Sequence, residues 1–192
     1  MGLRAALSSV VVLFAVPAWA EFDAASYPPY ERCALCHGLF GVSAMARFPH
    51  LGGQDPVYLE AQIRAFLSGG RQNDGGQMVQ IVTELTEEDI PVVVEWFASQ
   101  EPPEPVSGED TEAGKSLYQA ENCADCHEDL SLAPGTPHLT SQHAGYLAKQ
   151  MSDFRDGRRA TGGSALQHGP LMTASDNDIA AIAAYLSSVA RP

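Results

Sequence analysis

The sequence predicts an all-α protein made of two tandem domains. Three observations carry this prediction. No segment shows the apolar/polar alternation of a half-buried strand. The run from Pro49 to Arg71 returns from Pro137 to Arg159 at a constant offset of 88 residues, which is the mark of an internal repeat. A Cys-x-x-Cys-His motif occurs once in each half, as Cys33-Ala34-Leu35-Cys36-His37 and Cys123-Ala124-Asp125-Cys126-His127.

Residues 1–20 read as an export signal. Arg4 precedes an apolar run from Ala5 to Val16, and Ala18-Trp19-Ala20 is an A-x-A cleavage site. The run is shorter than the ~20 apolar residues of a membrane span, so the mature chain is expected to begin at Glu21, in the periplasm, without a transmembrane segment. The first domain is assigned to 21–100. It enters through Tyr27-Pro28-Pro29-Tyr30, which resists a helix interior because proline lacks the amide donor. A loop over 38–47 follows the first motif. Tyr58, Leu59, Gln62, Ile63 and Phe66 then recur at helical spacing. Thr86-Glu87-Glu88-Asp89 caps a last helix that runs through Trp96-Phe97, with Pro91 near its tolerated first turn.

Glu101-Pro102-Pro103-Glu104-Pro105 lies in a stiff linker, assigned to 101–107, and the second domain is assigned to 108–192. It opens with a helix over 111–122 that has Gly114, Leu117 and Tyr118 on one side. The repeat follows, with identities at Pro49/Pro137, His50/His138, Leu51/Leu139, Gln54/Gln142, Tyr58/Tyr146, Leu59/Leu147, Gln62/Gln150, Phe66/Phe154, Gly69/Gly157 and Arg71/Arg159. Met151 stands where the first half has Ile63, and so reads as core packing. Ser175-Asp176-Asn177-Asp178 caps the closing helix through Tyr185-Leu186.

The repeated motif carries the chemistry. In a Cys-x-x-Cys-His run, two thiols bond to porphyrin vinyl groups and the adjacent imidazole becomes the proximal iron ligand. Cys33, Cys36, Cys123 and Cys126 are all the cysteines of the chain, so two covalent haem c groups use them completely. Two redox dithiols would not require a histidine after both pairs, and one zinc site would have to join pairs 90 residues apart. Each domain is small for a protein-only core, and the haem is expected to complete it; the apoprotein is expected to fold poorly.

His37 and His127 are the expected proximal ligands. Met78, eight residues before the cap Thr86 in a Gly75-Gly76-Gln77 loop, is the expected distal ligand of haem 1 in preference to Met45, which lies only eight residues after His37. The second half has no methionine at the position equivalent to Met78. His168, seven residues before the cap Ser175, is the preferred ligand of haem 2, with Met172 as the alternative. His50 and His138 read as surface residues, and His143 as a residue near a helix start.

The two motifs, Phe48-Pro49-His50-Leu51-Gly52-Gly53-Gln54, Phe154-Arg155-Asp156-Gly157-Arg158-Arg159, Ser175-Asp176-Asn177-Asp178-Ile179 and Ala183-Ala184-Tyr185-Leu186 resemble the di-haem cytochrome c4 family over nearly all of the mature chain. The resemblance implies two class I cytochrome c domains related by a pseudo-twofold axis. It also implies that the Pro49 and Pro137 carbonyls orient His37 and His127. Arg71 and Arg159 would contact haem propionates, the alternative being solvated arginines after a helix. The double proline before the first haem and the missing methionine before the last helix depart from the family pattern.

The formal charge is -13, and removing Arg4 with the leader leaves 10 basic against 24 acidic residues, or -14. Such a surface repels nucleic acid and favours redox partners with basic docking patches. The leading expectation is a periplasmic carrier that passes electrons from a dehydrogenase or membrane complex to a terminal acceptor and transforms no substrate. The alternative is a haem enzyme or enzyme subunit that reacts with a small molecule at the second haem.

Overall fold

A computed structural model describes residues 27–108, 111–128, 130–131, 133–160 and 168–191. The leader over 1–20 and its cleavage after Ala20 lie outside the described residues. Among the described residues the regular structure is helical and contains no strand. No described helix is long and apolar enough to cross a membrane.

The first half contains α1 (Glu31–His37), α2 (Pro56–Leu67), α3 (Gln77–Val82) and α4 (Asp89–Ala98). The second contains α5 (Glu112–Ala120), α6 (Ala124–His127), α7 (Ala144–Arg155), a 3-10 turn (Gly169–Thr173) and α8 (Asp176–Ser188). Local chemistry sets these limits. The Asp55 carboxylate accepts the Tyr58 amide at 2.6 Å and Pro56 opens α2, while Gly69 at φ +73° follows its end. Thr86 and Asp89 exchange side-chain and backbone hydrogen bonds ahead of α4. Ser175 and Asp178 form the full capping box of α8.

Each half has its own core. In the first, Leu59, Ile90, Val93, Val94 and Phe97 pack α2 against α4, and Ile63, Cys33 and Leu51 border them. In the second, Tyr118, Leu147, Ile182, Ala183 and Leu186 join α5, α7 and α8, with Met151 and Cys123 alongside. The entrances differ, as the double proline predicts. Tyr30, at the start of α1, stacks on Trp96 with ring centres 4.0 Å apart, whereas the second half brings a longer helix onto α8. There Gly114 allows backbone contact: a Cβ at this position would lie 2.0 Å from the Ala181 carbonyl oxygen.

The two halves meet through a reciprocal set of polar contacts. The Gln54 amide donates to the His138 carbonyl at 3.0 Å and accepts the His138 N–H at 2.7 Å. Its repeat equivalent Gln142 does the same to His50, at 3.0 and 2.8 Å. Two equivalent side chains grip two equivalent backbone segments, as a pseudo-twofold axis requires. This corrects the surface reading of His50, which is 7% exposed, its ring against that of His143 with centres 3.9 Å apart. His138 is half-buried rather than exposed. Both segments are covered because the other repeat packs over them.

Gly114→Ala should therefore strain the α5–α8 crossing and cost about 2 kcal/mol or more. Thermal unfolding of the holoprotein, followed by far-ultraviolet circular dichroism, should show a clear fall in Tm; an unchanged Tm would mean that α5 can shift away from α8 at little cost.

Candidate functional site

The first motif forms α1, with His37 buried at its end. The Nδ1–H of His37 donates to the Pro49 carbonyl at 2.9 Å. In the second motif the Nδ1–H of His127 donates to the Pro137 carbonyl at 2.8 Å. Each bond fixes the tautomer and ring plane and leaves the Nε2 lone pair for a metal. Burial lowers the pKa of both rings, that of His127 to about 4, despite the opposing effect of the carbonyl bonds. Both imidazoles are thus neutral at pH 7, the state in which a histidine can bind a metal.

The thiols do not resemble those of a redox pair. Burial pushes Cys33 up to about 11 and raises Cys123 as well, whereas a reactive dithiol has a depressed pKa. None of the four cysteines is paired in a disulfide. Among the described residues, no group of three or more histidines, cysteines and acids converges as a metal cluster would.

The distal sides differ. Met78 is the second residue of α3 rather than part of a loop, because Gly75 and Gly76, at φ +78° and +86°, turn the chain just before it. Its amide donates to the Asp74 carboxylate. In the second half the rings of His127 and His168 lie with centres 6.3 Å apart and planes inclined by 37°. Two imidazoles on opposite sides of one metal, each with a metal–nitrogen bond of about 2.0 Å, have ring centres about 6 Å apart. The Met172 side chain, in contrast, is 52% exposed.

Between the halves lies a second reciprocal cluster. Arg71 donates to Gln62 at 2.7 Å and reaches across to Tyr146 and Gln150, both at 3.1 Å. Arg159 donates to Gln150 at 2.7 Å and reaches across to Tyr58 and Gln62, both at 3.0 Å. Both arginines are buried, which corrects the solvated alternative: the other repeat's tyrosine and glutamine cover each of them. Burial opposes ionisation of the Tyr58 phenol, but Arg159 and Arg71 outweigh it and hold the pKa below its ordinary value.

Among the described residues, neither guanidinium bonds a carboxylate, and the buried Nε of Arg159 has no hydrogen-bond partner. Two buried cations without a directly bonded counter-ion cost several kcal/mol, so the seam suits anionic groups such as propionates. The paired thiols, the neutral imidazoles and this cationic seam all fit haem c. The sequence repeat contained a signal for the seam in Gln54, Tyr58, Gln62 and Arg71, polar residues identical in both halves that neither core needs.

Two helical domains, each with a thiol pair and a carbonyl-oriented histidine, define a di-haem c-type cytochrome. A family model described as Cytochrome c matches residues 111–190. The cytochrome c4 of Pseudomonas aeruginosa is 33% identical over 169 residues, covering 82% of this chain and 83% of that protein. The crystal structure of reduced cytochrome c4 from Pseudomonas stutzeri superposes with a TM-score of 0.71 at 26% identity, covering 88% of this chain and 99% of that one. A thiosulfate dehydrogenase electron acceptor of Stutzerimonas stutzeri is 28% identical and covers 84% of this chain and 81% of its own length. The chain belongs to the cytochrome c4 family: it is a di-haem electron carrier whose cofactors are two covalently bound haem c groups.

The buried His50 ring gives the interface a pH dependence. Burial first, then the neighbouring His143, Arg191 and His37, lower its pKa from 6.5 to about 4. The unfolded chain takes up this proton first, so the contribution is complete above pH 6.5 and is lost as pH falls towards 4. Chemical denaturation should show that moving from pH 7 to pH 5 removes about 2 kcal/mol more stability from the wild type than from His50→Gln.

Proposed function

We propose that the protein is a periplasmic carrier whose two haems have unlike axial ligands and therefore unlike potentials. His37 and Met78 are the iron ligands of the first domain, and His127 and His168 those of the second; Cys33, Cys36, Cys123 and Cys126 form the thioethers. Arg71 and Arg159 receive the propionates. The 6.3 Å separation of the His127 and His168 rings carries this reading.

Each haem supplies reversible one-electron chemistry, and its axial ligands tune the potential within a family-wide range of about 0.8 V. The chain does the rest. Pro49 and Pro137 hold the proximal rings, a thioether favours the ferrous state on one side, and a second imidazole favours the ferric state on the other. Transfer is then downhill from the second domain to the first. His168, held against Phe154 with ring centres 4.3 Å apart, fills the position that a small-molecule substrate would need, which favours the carrier over an enzyme.

The domains also differ in their outward faces. Around the first motif Leu35 and Phe40 are exposed and apolar, while the second motif has exposed Asp125 in place of Leu35, followed by exposed Glu128. A donor with a basic docking patch suits the second face. The resemblance to a thiosulfate dehydrogenase electron acceptor supports a dehydrogenase of reduced sulfur compounds as that donor.

Potentiometric titration should resolve two one-electron steps separated by on the order of 0.1 V or more. Near-infrared magnetic circular dichroism of the oxidised protein should show one methionine-ligated and one bis-histidine haem, and His168→Met should convert the second to the first kind and raise its potential. Two methionine signals in the wild type would overturn the assignment of His168. With a purified donor, the association rate should fall steeply between 20 and 200 mM salt, within the range where Debye screening shortens to about 10 Å or less. Asp125→Leu should flatten that dependence; a flat wild-type profile would contradict the basic docking surface.

A further inference from the structure

Arg191 joins the two halves where the repeat brings equivalent backbone together. Its guanidinium donates to the Gly52 carbonyl at 2.7 Å and to the Thr140 carbonyl at 3.4 Å. Those two residues are repeat equivalents at the offset of 88. A single side chain that binds both copies of one backbone site lies close to the pseudo-twofold axis. The first half has no second copy of it. The Phe97 and Leu186 carbonyls accept from the equivalent amides of Gly53 and Ser141, and the step that leads from Leu186 to Arg191 leads from Phe97 to Pro102.

The side chain is buried, and among the described residues no carboxylate bonds it and its Nε has no hydrogen-bond partner. Burial lowers its pKa to about 10, whereas the bonded carboxylates of Asp156 and Asp176 raise that of Arg155. Arg191 is therefore a cation at pH 7, held by backbone dipoles. Its field reaches both halves, because it opposes protonation of His50 and of His138, another equivalent pair. These histidines directly follow Pro49 and Pro137, whose carbonyls hold His37 and His127. The charge thus stands behind both proximal histidines. Arg71 and Arg159 differ, since in the proposed assignment propionates neutralise them.

We infer that Arg191 is a tuning residue shared by the two sites, a buried positive charge near the pseudo-twofold axis that raises the reduction potentials of both haems together. The inference rests on His37 and His127 being the proximal iron ligands, and it does not depend on which residue is the distal ligand of the second haem. Reduction lowers the charge of each iron centre by one, so a buried cation on the proximal side favours the ferrous state. Two sites that share one charge symmetrically move in parallel. The axial ligands then set the difference between the potentials, and Arg191 sets their common level.

The test is potentiometric titration of the holoprotein with substitutions that separate charge from hydrogen bonding. Arg191→Gln and Arg191→Met should lower both reduction steps by similar amounts and leave their separation unchanged. Arg191→Lys keeps the charge but not the forked contact with two carbonyls, and it should hold both potentials close to those of the wild type. Proton nuclear magnetic resonance of the oxidised wild type should show hyperfine-shifted imidazole signals of His37 and His127, and the variants should keep that pattern. Unchanged potentials in both neutral variants, a shift confined to one haem, or potentials in Arg191→Lys as low as in Arg191→Met would overturn the tuning role. So would a disturbed histidine pattern in Arg191→Gln, which would make Arg191 a structural pin between the repeats. Absence of the His37 or His127 signals from the wild type would instead overturn the ligand assignment, so the two failures are distinguishable.

Discussion

The constraint on which the interface depends is the burial of two guanidiniums. Arg71 and Arg159 are 6% and 7% exposed, and among the described residues their side-chain hydrogen-bond partners are uncharged amides and phenols. An arrangement like this is expensive without anions, since desolvating each cation costs several kcal/mol that neutral hydrogen bonds only partly return. Carboxylates of a bound group would offset that cost. In the proposed assignment, fold and cofactors are mutually dependent at two levels: porphyrin would complete each small core, and its acidic edge would balance the charge between the domains. The nearest acid in this network, Asp153, bonds Asn73 rather than either guanidinium.

Symmetry at this seam contrasts with asymmetry at the outer faces. Gln54 and Gln142 hold equivalent backbones, Arg71 and Arg159 reach equivalent tyrosines, and Pro49 and Pro137 accept from equivalent histidines. The differences lie elsewhere. Met78 follows a double-glycine turn into α3, whereas His168 introduces a 3-10 turn against Phe154. Leu35 is matched by Asp125. A duplicated frame fixes how the domains face each other, and substitutions outside that frame are free to differentiate them.

The elements legible in the sequence were those governed by local or periodic rules. Helical spacing located α2 and α7, the Ser175 capping box located α8, and Tyr27-Pro28-Pro29-Tyr30 marked the shorter entrance. The motifs carried the cofactor chemistry because covalent attachment needs its residues adjacent in sequence. What spacing alone could not supply was contact between repeats. His50 looked like a surface histidine because its cover is non-local: the Ser43 amide of its own domain bonds the ring, and Gln142 and His143, more than 90 residues away, complete the burial. The arginines were ambiguous for the same reason. Met78 was displaced from a loop to a helix because the two glycines complete their turn one residue earlier than the pattern suggests.

The same reasoning indicates how polar identities in an internal repeat should be read. Apolar identities such as Leu59/Leu147 follow from each domain's need for a core, and they would persist in two domains that never touch. A polar identity has no such cause unless it serves the cofactor or the partner repeat. Gln54/Gln142 binds backbone of the opposite half, and Gln62/Gln150 and Tyr58/Tyr146 bind its arginine. Under pseudo-twofold symmetry each such residue acts twice, so changing one copy leaves an unmatched partner on the other side. That coupling keeps the residues of the seam paired, and Asn73, in the loop after α2, adds bonds across it to Gln150 and Asp153. In the proposed assignment, directional transfer follows: a rigid symmetric interface holds the separation of the two sites, and the unlike loops set the difference in potential across it.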